Sequence, residues 1–201
     1  MKVYTYPRSR SLRVLWALEE LGVAYETIRV DLFSDSEQQS SPHPRKKVPF
    51  LVDGEVAIGE TLAICLYLCE KHSSHAFYPP RIEDQAAVNA WLSFALTDLE
   101  APIWGLAKQK ILTPEAQRSE AVMAYFAYEA DRAIASFQLR QHQLWIAGEH
   151  FTLADIFMTQ TLLWAKSCGL TLSVDIEDYL MRTTARPAFI TAQQRNNEIT
   201  S

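Results

Sequence analysis

Asp53-Gly54 stands between the strand-forming runs Phe50-Leu51-Val52 and Glu55-Val56-Ala57-Ile58, and this tight-turn dipeptide constrains the fold more than any other feature of the chain. A hairpin there supplies two antiparallel strands. Ahead of it lies a strand-helix-strand pattern. Residues 2–6 alternate and carry Val3, Tyr4 and Tyr6, and residues 11–21 are helical in their spacing. The apolar set Leu12, Val14, Leu15, Trp16, Ala17, Leu18 and Leu21 wraps most of that helix, the pattern of a helix covered on both sides. Gly22 is placed to end it in the left-handed conformation, and residues 25–30 read as a second strand. The first thirty residues thus form a β-α-β unit, whose parallel crossover is right-handed by strong preference, and with the hairpin they read as a compact α/β domain. Residues 60–71 then return to helical spacing through Leu62, Ile64, Cys65, Leu66, Leu68 and Cys69.

Tyr78-Pro79-Pro80 breaks the chain, because paired prolines cannot continue a helix and force an extended connection. Everything beyond it is helical in pattern. A long segment covers about 82–111, bent near Pro102, and a second opens with Thr113 as cap and Pro114 at the first helical position. A third starts at Thr152-Leu153-Ala154-Asp155, a capping box with Asp in place of Glu, and stops at Gly169. Shorter helices cover 176–184 and 187–195. The expected organisation is an α/β domain over 1–77, a linker over 78–85 and an all-helical domain over 86–201.

Composition narrows the function classes. A formal charge of -5 gives no net field for phosphate backbones, and the basic residues form no block, so nucleic acid is not an expected partner. No apolar run reaches the roughly 18 residues that span a bilayer, and the first residues lack the apolar stretch of a signal peptide; the expected location is cytoplasmic, without membrane association. The three cysteines, Cys65, Cys69 and Cys168, form no C-x-x-C pair. Cys65 and Cys69, four apart on one helix, read as a shared apolar face, and no metal site is expected.

The chemistry concentrates around the hairpin. Lys47-Val48-Pro49-Phe50 enters it directly. Either the Val48-Pro49 bond is cis, as about 5–6% of X-Pro bonds are, and the Val48 N–H and C=O turn outward to pair with an extended peptide, or a trans proline merely starts the strand. Gly59-Glu60-Thr61-Leu62 follows the hairpin at once. Thr61 there opens a helix whose N–H groups and hydroxyl suit a carboxylate, and Glu60 supplies the charge for an amine; the plain alternative is a helix cap with a favourably placed acid. Together the two motifs describe a site for a peptide-like ligand with a carboxylate and an amine at one end, the chemistry of a γ-glutamyl group.

At this point the residues resemble a family. The run Pro7-Arg8-Ser9-Arg10-Ser11-Leu12-Arg13-Val14-Leu15-Trp16-Ala17-Leu18-Glu19-Glu20-Leu21-Gly22, the Lys47-Val48-Pro49 turn, Glu60-Thr61-Leu62-Ala63-Ile64, Phe151-Thr152-Leu153-Ala154-Asp155 and Arg186-Pro187-Ala188-Phe189 are similar, in that order, to the cytosolic glutathione transferases, most of all their bacterial and fungal branches. The resemblance implies a thioredoxin-like α/β domain followed by an all-α domain. It implies glutathione as co-substrate without a metal, a small hydrophobic electrophile as second substrate, a peroxidase activity beside the transferase activity, a detoxifying role and a homodimer. Val48 then pairs through its backbone with the cysteinyl part of glutathione across a cis Pro49, Glu60 and Thr61 hold the γ-glutamyl end, and Lys47 approaches the glycyl carboxylate. Residues 151–155 are a folding and capping element.

Thiolate activation falls to the start of the first helix, where a hydroxyl donor and the helix dipole favour the anion. Ser9 and Ser11 both lie there, with helix capping as the alternative role of each; Ser9 is the catalytic candidate, followed by Tyr6 as donor and Arg10 as cation. Serine-type relatives place the active hydroxyl six residues before the valine of the Arg-Val pair, which is Arg8 here, one residue short of Ser9. No cysteine occupies this turn, which argues against branches that form a mixed disulfide, and the Ser-Ser-Cys run of glutathione-dependent isomerases is absent. Tyr6, Phe33 and Trp104 are expected to line the second-substrate pocket between the domains. Asp98 or Glu100 either reaches across a dimer interface towards the glutathione amine or is solvated helix charge. Against the enzyme stands a second reading, a non-catalytic module of the same fold that binds ligands or proteins.

Overall fold

The computed structural model describes residues 1–32, 40–72, 77–138 and 143–197. They group into two compact units, Met1–Pro79 with Thr184–Ser201, and Pro80–Thr183.

The first unit holds a four-stranded sheet of order β2-β1-β3-β4, built from β1 (Lys2–Thr5), β2 (Glu26–Arg29), β3 (Phe50–Asp53) and β4 (Val56–Gly59). β1 and β2 are parallel across the helix α1 (Ser11–Leu21), and β3 is antiparallel to both β1 and β4, the thioredoxin-like arrangement. Gly22 ends α1 at φ 65, as its position required. In the hairpin Asp53 pairs with Val56, so the two turn residues are Gly54 and Glu55, one position later than the dipeptide signal suggests. Gly54 alone takes a positive φ, 63°, which is what a type II′ turn asks of its first central residue.

The helix α2 (Thr61–Lys71) starts beside the end of β4 and runs back along the sheet, for the Tyr67 hydroxyl and Lys71 ammonium both reach Asp53 at the hairpin. The hydrogen bond from Lys71, joined by that from Tyr67, holds the Asp53 carboxyl below the usual carboxylate range.

Why α1 is apolar all round becomes clear from its neighbours. Val14, Leu15, Trp16, Ala17 and Leu18 are fully buried, with α2 and β1 against part of the helix and α8 (Pro187–Asn197) against the rest. Trp16 meets Phe189 edge-on at 4.8 Å, and its indole N–H donates to Glu20 at 2.9 Å. Arg186 clasps the same carboxylate through two bonds of 2.6 and 2.7 Å, the bidentate geometry in which arginine binds most strongly. The linear order of the sequence places residues 86–201 together; by their contacts, residues 184–197 pack with the first unit.

In the second unit one helical path covers α3 (Ile82–Phe94), a π turn at Ala95–Leu99, α4 (Glu100–Ala107) and a second π turn at Lys108–Leu112. Pro102 has no N–H for the Asp98 carbonyl and crowds it, and the wide turn lies where that ladder is interrupted. Thr113-Pro114 does not open the next helix: Pro114 is extended at ψ 141, a short 3-10 turn covers Glu115–Gln117, and α5 (Glu120–Ser136) is capped by Ser119, whose Oγ accepts from the Val122 N–H at 3.4 Å. α6 (Leu153–Ser167) is buried almost throughout its first ten residues, which makes it the central helix of this unit, and α7 (Val174–Thr184) packs beside its start.

The capping box expected at Thr152 and Asp155 is present. The fully buried Asp155 carboxylate accepts from the Ile146 N–H at 3.0 Å, the Thr152 N–H at 2.8 Å, the Thr152 hydroxyl at 3.2 Å and the Tyr179 hydroxyl at 3.0 Å. Burial pushes this carboxyl up, and those donors oppose the shift.

Candidate functional site

The register of the sheet decides which segments meet. Tyr4 pairs with Phe50 and Phe50 with Gly59, so the end of β1, the start of β3 and the end of β4 stand in one row at strand spacing, about 4.8 Å apart. From these three points run the Ser9 turn, the Val48-Pro49 bond and the Glu60-Thr61 start of α2. Segments separated by more than fifty residues in sequence are thereby brought to the same end of the sheet. The Val48-Pro49 peptide is cis, and Pro49 is buried.

Each segment carries a constrained backbone. Glu60 has φ 64 and ψ 118, a conformation that costs an L-residue about 1–3 kcal/mol and persists only where its surroundings enforce it. Its strained turn exposes the Glu60 side chain while Thr61, the first residue of α2, is buried. Lys46 and Arg8 also take positive φ, 52° and 58°.

At the first helix, Ser9 Oγ donates to the Tyr6 carbonyl at 2.6 Å, lies 2.8 Å from Ser11 Oγ and accepts from the Ser11 N–H at 3.1 Å. One hydroxyl proton serves one acceptor, so with that proton on Tyr6 the Ser11 hydroxyl supplies the other. Ser11 is fully buried, whereas Ser9 is half-buried and is the hydroxyl that accepts an N–H at this helix start. Arg10 is the N-cap residue, immediately before α1 begins at Ser11.

Two residues that sequence reasoning passed over complete this end. Arg45 faces Glu60 with Nη2 at 3.6 Å from the carboxylate, and both side chains are exposed. His43 accepts the Arg45 N–H on Nδ1 at 2.9 Å, packs T-shaped on Phe50 with ring centroids 5.5 Å apart, and so fills the space beside Gly59 that a Cβ there would lie 2.8 Å from its ring. Only the folded hairpin brings 43 and 45 to 59 and 60, and no spacing in the polar loop signals it.

Of the other sequence candidates, Lys47 is exposed and Tyr6 half-buried. Phe33 lies outside the described residues. Trp104 stacks on Trp164 within the helical unit, centroids 6.1 Å apart. Glu100 is buried in α4 and is therefore not solvated helix charge, while Asp98 is exposed and accepts from the Thr97 hydroxyl at 2.7 Å. A cleft of about 480 Å³ in the same unit is lined by Asp98, Phe126 and Arg132 among others.

Residues 3–76 match the family model described as glutathione S-transferase, N-terminal domain. A zeta-class glutathione S-transferase of Euphorbia esula is 30% identical over 167 residues, covering 79% of this chain and 72% of that protein. The chain belongs to the glutathione S-transferase family. Glutathione S-transferase 4 of Zea mays is 28% identical over 164 residues, covering 78% of this chain and 73% of that protein. Among solved structures, the ternary complex of BphK, a bacterial glutathione S-transferase, superposes with a TM-score of 0.85 at 23% identity, covering 98% of this chain and 100% of that one. A sphingomonad glutathione S-transferase complexed with glutathione superposes equally, TM-score 0.85 at 24% identity, over 99% and 100% of the two chains. These last two likenesses establish the glutathione transferase fold, and the family assignment rests on the sequence relatives.

Proposed function

We propose that this chain is a glutathione transferase that holds glutathione along the row Tyr4-Phe50-Gly59 and presents its thiolate to small hydrophobic electrophiles, with organic peroxides as a further substrate class. The observation that carries the reading is that row, because it gathers the Ser9 turn, the Val48-Pro49 strand entry and a helix N-terminus in one member of the family. Val48 pairs with the cysteinyl backbone as an added strand, Glu60 takes the amine, Thr61 and the first N–H groups of α2 take the γ-glutamyl carboxylate, and Lys47 takes the glycyl carboxylate. Tyr6 is the proposed contact of the electrophile on the first unit.

Ser9 is the proposed donor to the sulfur. Its proton now rests on a neutral carbonyl, and a thiolate competes for it well, since a charge-assisted hydrogen bond is roughly twice as strong as a neutral one. The Ser11 N–H remains on Ser9 Oγ throughout and polarises it. The same geometry favours one other reading, a non-catalytic binding module, because a serine that keeps its bond to Tyr6 activates nothing. Immobilised glutathione should retain the chain, and an activated aryl halide or an organic hydroperoxide should be turned over. Ser9→Ala should then lower kcat by at least about tenfold with KM within about twofold, the mark of an interaction made in the transition state. Retention without any turnover selects the binding module, and full activity in Ser9→Ala removes Ser9 from the mechanism.

A homodimer in the cytoplasm belongs to the same proposal, with the α4–α5 face as the contact. Tyr125 and Tyr128 leave 58% and 59% of their surface exposed there, beside the cleft that holds Asp98. Light scattering should give twice the chain mass, falling to one chain mass in Tyr125→Glu/Tyr128→Glu; a native monomer refutes the assembly.

A further inference from the structure

We infer that His43 is a positioning residue for the glutathione site, setting the spacing between the loop that carries Arg45, Lys47 and Val48 and the strained Glu60-Thr61 helix start. The inference rests on the functional reading above. Its basis is that one imidazole makes contacts with three separate segments. Nδ1 accepts the N–H of Arg45, two residues on, which leaves Nε2 as the protonated nitrogen and closes the same small ring that an asparagine closes in an Asx-turn. The Lys46 N–H also returns to the His43 carbonyl at 2.7 Å, which closes a turn over 43–46. The imidazole therefore fixes the direction from which Arg45 approaches Glu60.

The ring also acts as a spacer. It abuts Phe50, the residue after Pro49, and occupies the volume in front of Gly59, the residue before Glu60. Gly59 has no positive φ, so its backbone accepts an L-side chain; what excludes one is the imidazole. The exposed Arg45–Glu60 pair contributes little by itself. Held by His43, the same pair defines where the Glu60 carboxylate stands relative to the Val48 backbone, and ligand affinity depends on such spacings to a fraction of an ångström.

The test is calorimetric binding of S-methylglutathione, a thioether that takes thiol ionisation and Ser9 out of the readout. His43→Ala should weaken binding about tenfold, and His43→Asn, which restores an acceptor for the Arg45 N–H, should recover to within about threefold of the native chain. Gly59→Ala should weaken binding about tenfold in the native background and not further in His43→Ala, because its methyl group then has no ring to displace. A bystander histidine predicts neither the recovery nor the coupling. Native-like affinity in both His43→Ala and Gly59→Ala overturns the inference and leaves the functional reading standing; no binding by the native chain overturns that reading and the inference with it. Should His43→Ala fail to fold, the asparagine and Gly59→Ala variants decide between the same outcomes.

Discussion

Asp155→Ala should destabilise the protein by about 3–5 kcal/mol, enough to lower its melting temperature by roughly 10 °C or more. The size of the effect follows from what is left behind. The carboxylate collects two backbone N–H groups and two hydroxyls in a site without solvent, and truncation strands those donors where water does not replace them. Each orphaned buried donor costs about 1–3 kcal/mol, and only partial relaxation keeps the total below their sum. The network also ties three places together: the loop at Ile146, the first turn of α6 and, through Tyr179, α7. Thr152→Ala removes a cap but leaves the carboxylate with its other donors, so about 1 kcal/mol is expected there. Urea unfolding followed by far-UV circular dichroism measures both. Equal, small losses in the two variants would mean that Asp155 is a surface-like cap and not the keystone of the helical unit.

That network shows which parts of the molecule were legible in the sequence. Thr152 and Asp155 are three residues apart, so their box is a local event and is visible as a pattern; Tyr179 joins from 24 residues away and is not. The same division runs through the first unit. The hairpin, Gly22 and the parallel strands follow from short-range rules, and so does the placement of Val48-Pro49 and Glu60-Thr61 at its edge. The contact of Arg186 with Glu20 crosses 166 residues, and nothing in a run of helical periods says which unit the last helix rejoins. Competing local signals are a further source of error: Thr113-Pro114 and Ser119-Glu120 are both acceptable helix starts, and the chain uses the second, leaving Pro114 extended. At the site, residue types were readable and hydrogen-bond states were not. Ser9 was visible as a hydroxyl at a helix start, whereas the engagement of its proton by the Tyr6 carbonyl depends on the path of the turn at Arg8.

Thr61→Val and Glu60→Gln should raise KM for glutathione by about tenfold each, and the double variant by about a hundredfold, with kcat nearly unchanged. A hydrogen bond to a charged group contributes roughly 1.5–3 kcal/mol, and about 1.4 kcal/mol is a factor of ten. Both substitutions preserve shape: valine matches threonine in the buried first turn of α2, and glutamine follows the strained path at Glu60 as glutamate does. Stability should hardly move, because the ion pair lost from Arg45 is exposed on both sides. The γ-glutamyl end does not react, so what these residues supply is the same in ground state and transition state, and its loss appears in KM alone. Ser9 lies on the other side of that division, since a donor to the sulfur strengthens as charge gathers there and its loss appears in kcat. Steady-state kinetics of the Ser9→Ala and Thr61→Val variants against glutathione separates the two roles. If Thr61→Val lowers kcat while KM stays put, α2 does not anchor the distant end of the tripeptide, and glutathione lies across the row Tyr4-Phe50-Gly59 in some other direction.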